Sequence, residues 1–417
     1  MRTGLSVEEA RAMVLEASPL LEAERVPAAE ALGRVLAEAV YAPRDLPPAD
    51  CSAMDGYAVR AADLAGAGAG AAVSLAVAFE VPAGGRGARP LAPGEAARIF
   101  TGAPIPAGAD AVVMQEDVAA EAGVARFGRT ARAGDHVRPA GEDVRAGDLV
   151  LAPGTALGPS QLGMLAALGR SAALVHRRPR VAILSGGDEL VEPDGAAGEG
   201  RIVASNSYAI AAQCREAGAE PSLLGIARDT PEDLERLLRA GLHADVLVSS
   251  AGVSVGDHDH VRPVLEKLGC RLAFWGVLMK PGYPLAFGRF EAERGPLVFG
   301  LPGNPVSALV TFELFVRPAL RKMAGRRAWF RPVLDATLGE TLRKSPGRTH
   351  FVRVELAREG GVLRATPTGN QSSGVLRSMV LAQGLLVFPA EERELPAGAR
   401  VRVQVLDPEF FAAERPD

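Results

Sequence analysis

The sequence predicts a multidomain protein of the α/β plus β class, and three observations carry that prediction. The 417 residues exceed the length over which a single hydrophobic core keeps growing. From 180 to about 323, short apolar runs alternate with amphipathic helical stretches, as in βαβ units with helices on both faces of a largely parallel sheet, a three-layer α/β domain. Around this core, from about 46 to 140 and again after about 326, turns rich in Pro and Gly separate short β-type runs, which reads as flanking β domains.

The chain opens with a helix signal. Ser6 is placed to cap the NH of Glu9 while Glu9 answers back, Val7, Ala10, Met13, Val14 and Ala17 form the apolar stripe, and Pro19 ends it. VSLAVAF (73–79), AARIF (96–100) and DAVVMQ (110–115) are the strands of the first β region, and AGAGAGAA (65–72) reads as a flexible surface loop. GPSQLGMLAALGR (158–170) predicts a short helix ending at Gly169, and the texture changes after HRRPR (176–180), which places a domain boundary near 177. Strands RVAIL, SLLGIA, DVLVSS, RLAFWGVL, LAFGRF and PLVFG then alternate with helices near 206–218, 231–240, 261–268 and 305–323. The second of these is marked by Thr230 as cap, Pro231 at the first helical position and Asp233 completing the capping box. THFVRVEL, GVLRATP, GLLVFPA and ARVRVQVL are the strands of the last region.

Composition narrows the function classes. With 46 basic against 50 acidic residues and no concentrated Lys/Arg run, the chain lacks the electrostatic footprint of a nucleic-acid binder. The N-terminus lacks a basic n-region followed by an apolar run, and no stretch of 18 or more apolar residues occurs, so a soluble, unexported chain with no membrane partner is expected. Cys51, Cys214 and Cys270 are far apart and form no CxxC pair, which suits a reducing cytoplasm and suggests neither a disulfide framework nor structural zinc; Cys214 reads as a small buried thiol on a helix.

In a parallel sheet, ligands bind outside the carboxyl ends of the strands. The polar, glycine-rich segments of the α/β region all fall there: SGGDE (185–189), Arg228-Asp229, SSAGVSVGDHDH (249–260), KPGYP (280–284) and LPGNP (301–305). In the third of these, Gly252 and Gly256 let the backbone approach a ligand, Ser249, Ser250 and Ser254 offer hydroxyls, and NH groups feeding a helix start favour an anion. Asp257 and Asp259 beside a phosphate require a hard cation such as Mg²⁺. His258 and His260 lack zinc-type spacing, and a solvated rim is their ordinary explanation. In LPGNP, Gly303 frees the backbone, Asn304 is a cap and Pro305 sits in the first turn, which suits either an anion-binding helix start or a plain structural turn. Lys280 is a cation beside the Pro281-Gly282 turn, placed for an oxyanion or simply solvated. Asp55, Thr101, Glu142 and Asp143 sit in turns where their residue types are common in any case. The residues alone thus indicate a metal-assisted site for a phosphorylated small molecule.

At CSAMDGYA, RIFTGAPIPAGADAVVMQE, AGEDVRAGD, SGGDEL, SSAGVSVGDHD, MKPGYPLAFG, GLPGNPVSALVTFE and GRTHFVR the sequence resembles the molybdopterin molybdenumtransferase family, which includes MoeA and the gephyrin E domain. The resemblance implies four domains: a helical N-terminal domain from 1–45 plus 141–176, an inserted β-rich domain at 46–140, an α/β molybdopterin-binding domain at 177–325, and a C-terminal β-barrel-like domain at 326–417. It implies a cytoplasmic homodimer that joins molybdate to adenylylated molybdopterin with Mg²⁺-dependent release of AMP, and hand-over to other molybdenum-cofactor biosynthesis proteins. Carried onto this chain, Asp188, Glu189, Asp229, Asp257 and Asp259 hold Mg²⁺ and the nucleotide phosphates, with Glu189, Asp229, Asp257 and Asp259 as the metal ligands. Lys280, Arg353 and Ser373 receive molybdate, and Asp55, Thr101 and Asp143 complete the site from the second subunit. The molybdopterin contacts fall on Ser185, Gly186 and Gly187, on Ser249, Ser250, Gly252, Val253, Ser254 and Gly256, and on Pro302, Gly303, Asn304 and Pro305. Two positions depart from the family pattern: Gly276 and Tyr283 stand where lysines are common, which implies weaker oxyanion affinity or a different preferred anion such as tungstate. Two other readings belong beside this one: a molybdopterin adenylyltransferase-like enzyme, and a non-catalytic scaffold like the receptor-binding gephyrin domain.

Overall fold

The computed structural model describes residues 1–68, 70–85, 89–195, 198–250, 260–290 and 295–412. The chain divides into two compact units, one of Met1–Ala37, Gly154–Pro159 and Ala172–Asp417, the other of Glu38–Pro153 and Ser160–Ser171.

The first unit is built on a seven-stranded sheet in the order Arg2–Leu5, Cys270–Val277, Ala286–Phe290, Leu297–Gly300, Val246–Ser249, Arg180–Gly186 and Glu220–Ala227. Four pairings are parallel, but Ala286–Phe290 runs antiparallel to both neighbours, so the sheet is mixed rather than purely parallel. Residues 278–285, which carry the two-residue strand Met279–Lys280 and no helix, link it to Cys270–Val277, and a connection of that kind joins antiparallel strands where a parallel pair needs a longer crossover. The edge strand Arg2–Leu5 went unread in the sequence, since four residues with Gly4 in the middle carry no alternation. Its Leu5 nonetheless joins the main core with Ile183, Val248, Phe274, Phe299 and Phe315.

The helices form close to their sequence signals. Val7–Ala17 starts with a complete capping box between Ser6 and Glu9. In Pro231–Gly241 the Thr230 hydroxyl accepts from the Asp233 NH, but the box does not close, because the Asp233 carboxylate accepts from the Arg228 NH at 2.9 Å and pairs with Arg236. The 305–323 stretch is helical throughout and changes character in the middle, α over Pro305–Thr311, π over Phe312–Val316 and α again over Arg317–Met323. Pro318 has no NH to give the carbonyl four residues back. That carbonyl, on Leu314, accepts instead from Arg11 Nε at 3.2 Å, which ties the first helix to the 305–323 stretch. Cys214 and Cys270 are buried thiols, pushed up to about 12 by burial.

After Met323 a five-stranded barrel closes in the order Thr349–Glu359, Val362–Pro367, Val333–Leu338, Arg400–Val405 and Gly384–Phe388, with the last strand pairing back to the first. Val352, Val354, Leu386, Phe388 and Val403 fill its interior, while Phe351 and Leu385 on the outer wall join the core of the α/β sheet. Met279–Lys280 adds to Thr349–His350 as a parallel two-residue ladder. The one-turn helix Arg377–Val380 interrupts the run of strands expected here.

In the second unit, Ala111–Met114, Gly56–Val59, Glu95–Ile99, Val73–Val81, Val124–Phe127 and Val118–Glu121 form a six-stranded sheet in that order. Tyr57, Val59, Leu64, Leu75 and Phe127 pack one core, and Ala58, Leu91, Ala97 and Ile99 another. The alanine-glycine segment is more ordered than its composition suggests, since Gly68 and Ala71 exchange backbone hydrogen bonds and Ala67 is buried in the first of these cores.

Candidate functional site

The carboxyl-end rim of the seven-stranded sheet draws the expected segments together through the backbone. Ser185 is next to last in Arg180–Gly186 and its buried hydroxyl lies 3.2 Å from that of Ser250, just past Val246–Ser249. The Ser250 NH donates to Leu184 O, and the Leu301 NH donates to Ser249 O, which carries the ladder on to Pro302 and Gly303. Asn206 Nδ2 donates to Gly303 O at 2.7 Å, so the start of the Ser205–Ala217 helix fastens this loop. The sequence reading passed over Asn206 because a polar residue in a helical first turn carries no motif. Asn304 occupies the N-cap position without a side-chain cap bond, so capping is left to the backbone there. Gly186 closes its strand, and Gly187, at φ +144, holds a backbone conformation that L side chains rarely adopt; a Cβ there would also displace the Glu189 carboxylate that lies over it.

Asp188 and Asp229 face each other across two strand ends. Each carboxylate accepts from the other's backbone NH at 3.3 Å, and neither has a basic partner among the described residues. With Glu189 folded over Gly187, this edge of the rim is acidic. Gly252, Val253, Ser254, Gly256, Asp257, His258 and Asp259 lie outside the described residues, so two of the four expected metal ligands do too. Among the described residues no group of three or more His, Cys, Asp or Glu is assembled to hold a metal. Two free-edged carboxylates still suit Mg²⁺, which keeps several waters and takes one or two carboxylates together with substrate phosphates.

A cationic face lies where the barrel meets the rim. Lys280 is exposed and aligned with His350 in the two-residue ladder. Arg353, on the same barrel strand as His350, is fully buried on the side of Phe351. Its Nε donates to Ser378 Oγ at 3.2 Å and its Nη2 to Ser372 O at 3.3 Å, while Nη1 has no hydrogen-bond partner among the described residues. Burial pulls the guanidinium down to about 10. His350 is buried with an unpartnered Nε2, and burial together with the charges of Lys280, Arg353 and Lys344 lowers it to about 4, so it is neutral at pH 7. Ser373 O accepts from the Val306 NH at 3.1 Å, which brings the Ser372-Ser373 loop against the start of Pro305–Thr311. The histidine escaped sequence reading because its role follows from burial among cations rather than from spacing.

The two departures from the family pattern are structurally coupled. Gly276 has φ +82, and a Cβ there would sit 3.3 Å from the Tyr283 phenol. Tyr283 stands edge-on to Trp275 at 5.6 Å, and the Arg348 guanidinium lies over its ring at 4.4 Å. Position 283 therefore carries a cation by stacking instead of by its own charge.

In the second unit, Asp55 Oδ1 accepts from the Thr101 NH at 2.7 Å and from its hydroxyl at 2.8 Å, and these bonds hold the carboxyl below its ordinary range. Asp143 is exposed, with its NH on Leu46 O, and no hydrogen bond links it to that pair. The neighbouring Glu142 is occupied by Arg138 at 2.7 Å.

The chain is similar to known proteins along most of its length. Residues 5–169 match the family model for the MoeA N-terminal region (domain I and II), 182–322 that for a probable molybdopterin binding domain, and 335–406 that for the MoeA C-terminal region (domain IV). A molybdopterin molybdenumtransferase of Nostoc sp. is 41% identical over 374 residues, covering 89% of this chain and 86% of the relative. That of Haemophilus influenzae is 36% identical, covering 96% and 98%. A crystal structure of a molybdopterin biosynthesis moeA protein from Pyrococcus horikoshii superposes with a TM-score of 0.83 at 35% identity, covering 97% of this chain and 99% of that one.

Proposed function

Because the chain belongs to the molybdopterin molybdenumtransferase family, transferases of molybdenum cofactor biosynthesis, we propose that it joins molybdate to adenylylated molybdopterin, cleaving the phosphoanhydride and releasing AMP. The observation that carries this reading is the Nη1 of Arg353, a buried cation with no anion beside it among the described residues. Burying an unpaired charge is costly, and an oxyanion substrate offsets that cost by supplying both the counter-charge and the missing acceptor.

In this reading Arg353, Lys280 and the Ser372-Ser373 loop hold molybdate, and the neutral His350 keeps the cleft from repelling its own cations. Ser185, Gly186, Gly187, Ser249, Ser250 and the Pro302–Pro305 turn bind the pterin and its phosphates through hydroxyls and close backbone approach, and Gly252, Val253, Ser254 and Gly256 belong to the same contacts. Asp188, Glu189 and Asp229, with Asp257 and Asp259, hold Mg²⁺. When bound, the ion neutralises phosphate charge and eases departure of AMP. Asp55 and Thr101, locked to each other, and Asp143 serve the same reaction, and a cytoplasmic homodimer in which subunits share catalytic residues is part of the proposal.

The test is AMP release from adenylylated molybdopterin by purified chain with Mg²⁺, comparing molybdate, tungstate and no oxyanion. Molybdate-dependent release supports the reading, and a tungstate preference assigns the Gly276 and Tyr283 pair a role in choosing the anion. Equal release in all three conditions, or none in any, contradicts it.

A further inference from the structure

At the opposite, amino-terminal end of the seven-stranded sheet, HRRPR contributes to a cavity of about 220 Å³ that the proposed reaction does not use. Its wall combines the turn at 32–35, the 176–178 segment leading into Arg180–Gly186, the end of Ser205–Ala217, and the chain just past Arg317–Met323. Arg34, Arg177, Arg178, Arg215 and Arg326 line it, and Glu216 is the one carboxylate among the lining residues.

The charges do not balance. Arg34 is paired with Glu24, and Arg177 is held by Asp245 at 2.5 and 2.6 Å. Glu216 is bound by Arg331 at 2.6 Å. Arg178 and Arg215 have no ion-pair partner among the described residues, and Arg326 donates only to a carbonyl, Gly33 O, at 2.5 Å. Three guanidiniums thus share one small cavity without a free carboxylate.

We propose that this pocket binds a tetrahedral oxyanion of phosphate size, at a site separate from the carboxyl-end rim. Guanidinium forks match the edges of such an ion bidentately, and a bound anion supplies the counter-charge that the three arginines lack among the described residues. The size selects the class, since the cavity is smaller than the roughly 300–1,000 Å³ of pockets that enclose a whole drug-sized ligand. A bare oxyanion is well within that volume.

Equilibrium dialysis of the full chain at fixed ionic strength, with inorganic phosphate in one arm and molybdate in the other, counts the ions bound per chain. The comparison is between wild type and the Arg178→Ala/Arg215→Ala double variant, whose two substituted side chains are exposed and unpaired, so its melting temperature in chloride buffer should match wild type. The variant is expected to bind one oxyanion fewer per chain in at least one arm, and the arm that shows the loss identifies the ion. Arg326→Gln provides an independent variant with the same expected loss if the first does not fold. Equal counts for wild type and variants in both arms overturn the proposal.

Discussion

At the scale of single residues, the cationic face is where burial and charge oppose each other most sharply. Arg353 holds a charge in the interior with one nitrogen unpartnered among the described residues, so replacing it with a neutral side chain of similar size removes a desolvation cost. Arg353→Met is expected to melt no lower than wild type, and by up to a few degrees higher, while needing more molybdate for the same turnover. A melting curve beside the AMP assay checks both halves. His350 gives a pH signature. Its folded value of about 4 lies below the ordinary 6.5, so the unfolded chain binds the proton more readily and stability falls with acid through that interval. The part of the stability that depends on this histidine, on the order of 3 kcal/mol, is intact above pH 6.5 and lost as pH approaches 4. His350→Gln should flatten that portion of the stability curve, as measured by denaturant titration at a series of pH values; an unchanged slope contradicts it.

Among elements, the clearest dependence runs from the first helix to the 305–323 helical stretch. The π stretch Phe312–Val316 and the proline after it leave Leu314 O for Arg11 to satisfy. Arg11→Leu strands a buried carbonyl and should cost about 1–3 kcal/mol. Hydrogen exchange of the 305–323 amides should speed accordingly, with exchange in the barrel unchanged. Element signals with a local cause were legible in the sequence: Ser6 and Glu9 named a helix start, and Pro231 after Thr230 named another. Signals with a tertiary cause were not. The Asp233 carboxylate turned to the Arg228 NH at the end of the preceding strand and, one helical turn along, to Arg236. Arg2–Leu5 forms a strand because Cys270–Val277 offers it an edge, and Gly276 tolerates φ +82 beside Tyr283 for reasons that composition does not show.

For the whole molecule, topology did most to make the site legible. The rule that ligands gather at strand carboxyl ends selected Ser185, Asp229, Ser249 and Pro302, and the fold brings these segments to one rim even though the sheet is mixed. Arg353 lies on a barrel strand, where that rule has no force, and it entered through the family resemblance. Asp55 and Thr101 entered the same way, since their pairing looks in sequence like ordinary turn chemistry. The proposed sharing of catalytic residues between subunits makes a prediction at this scale. Asp55→Ala and Arg353→Ala, each inactive as a homodimer, should recover about a quarter of wild-type activity when co-expressed in equal amounts, because half the dimers are mixed and each mixed dimer keeps one intact site. No recovery would mean that each subunit works alone.

The central claim is that the buried Arg353 receives molybdate, and the most direct measurement is the molybdate concentration dependence of AMP release in wild type and Arg353→Met. Loss of a charge-assisted bond of about 2 kcal/mol predicts a half-saturating concentration raised at least roughly 30-fold, with release in the absence of molybdate unchanged. Superimposable curves for the two proteins would contradict the account.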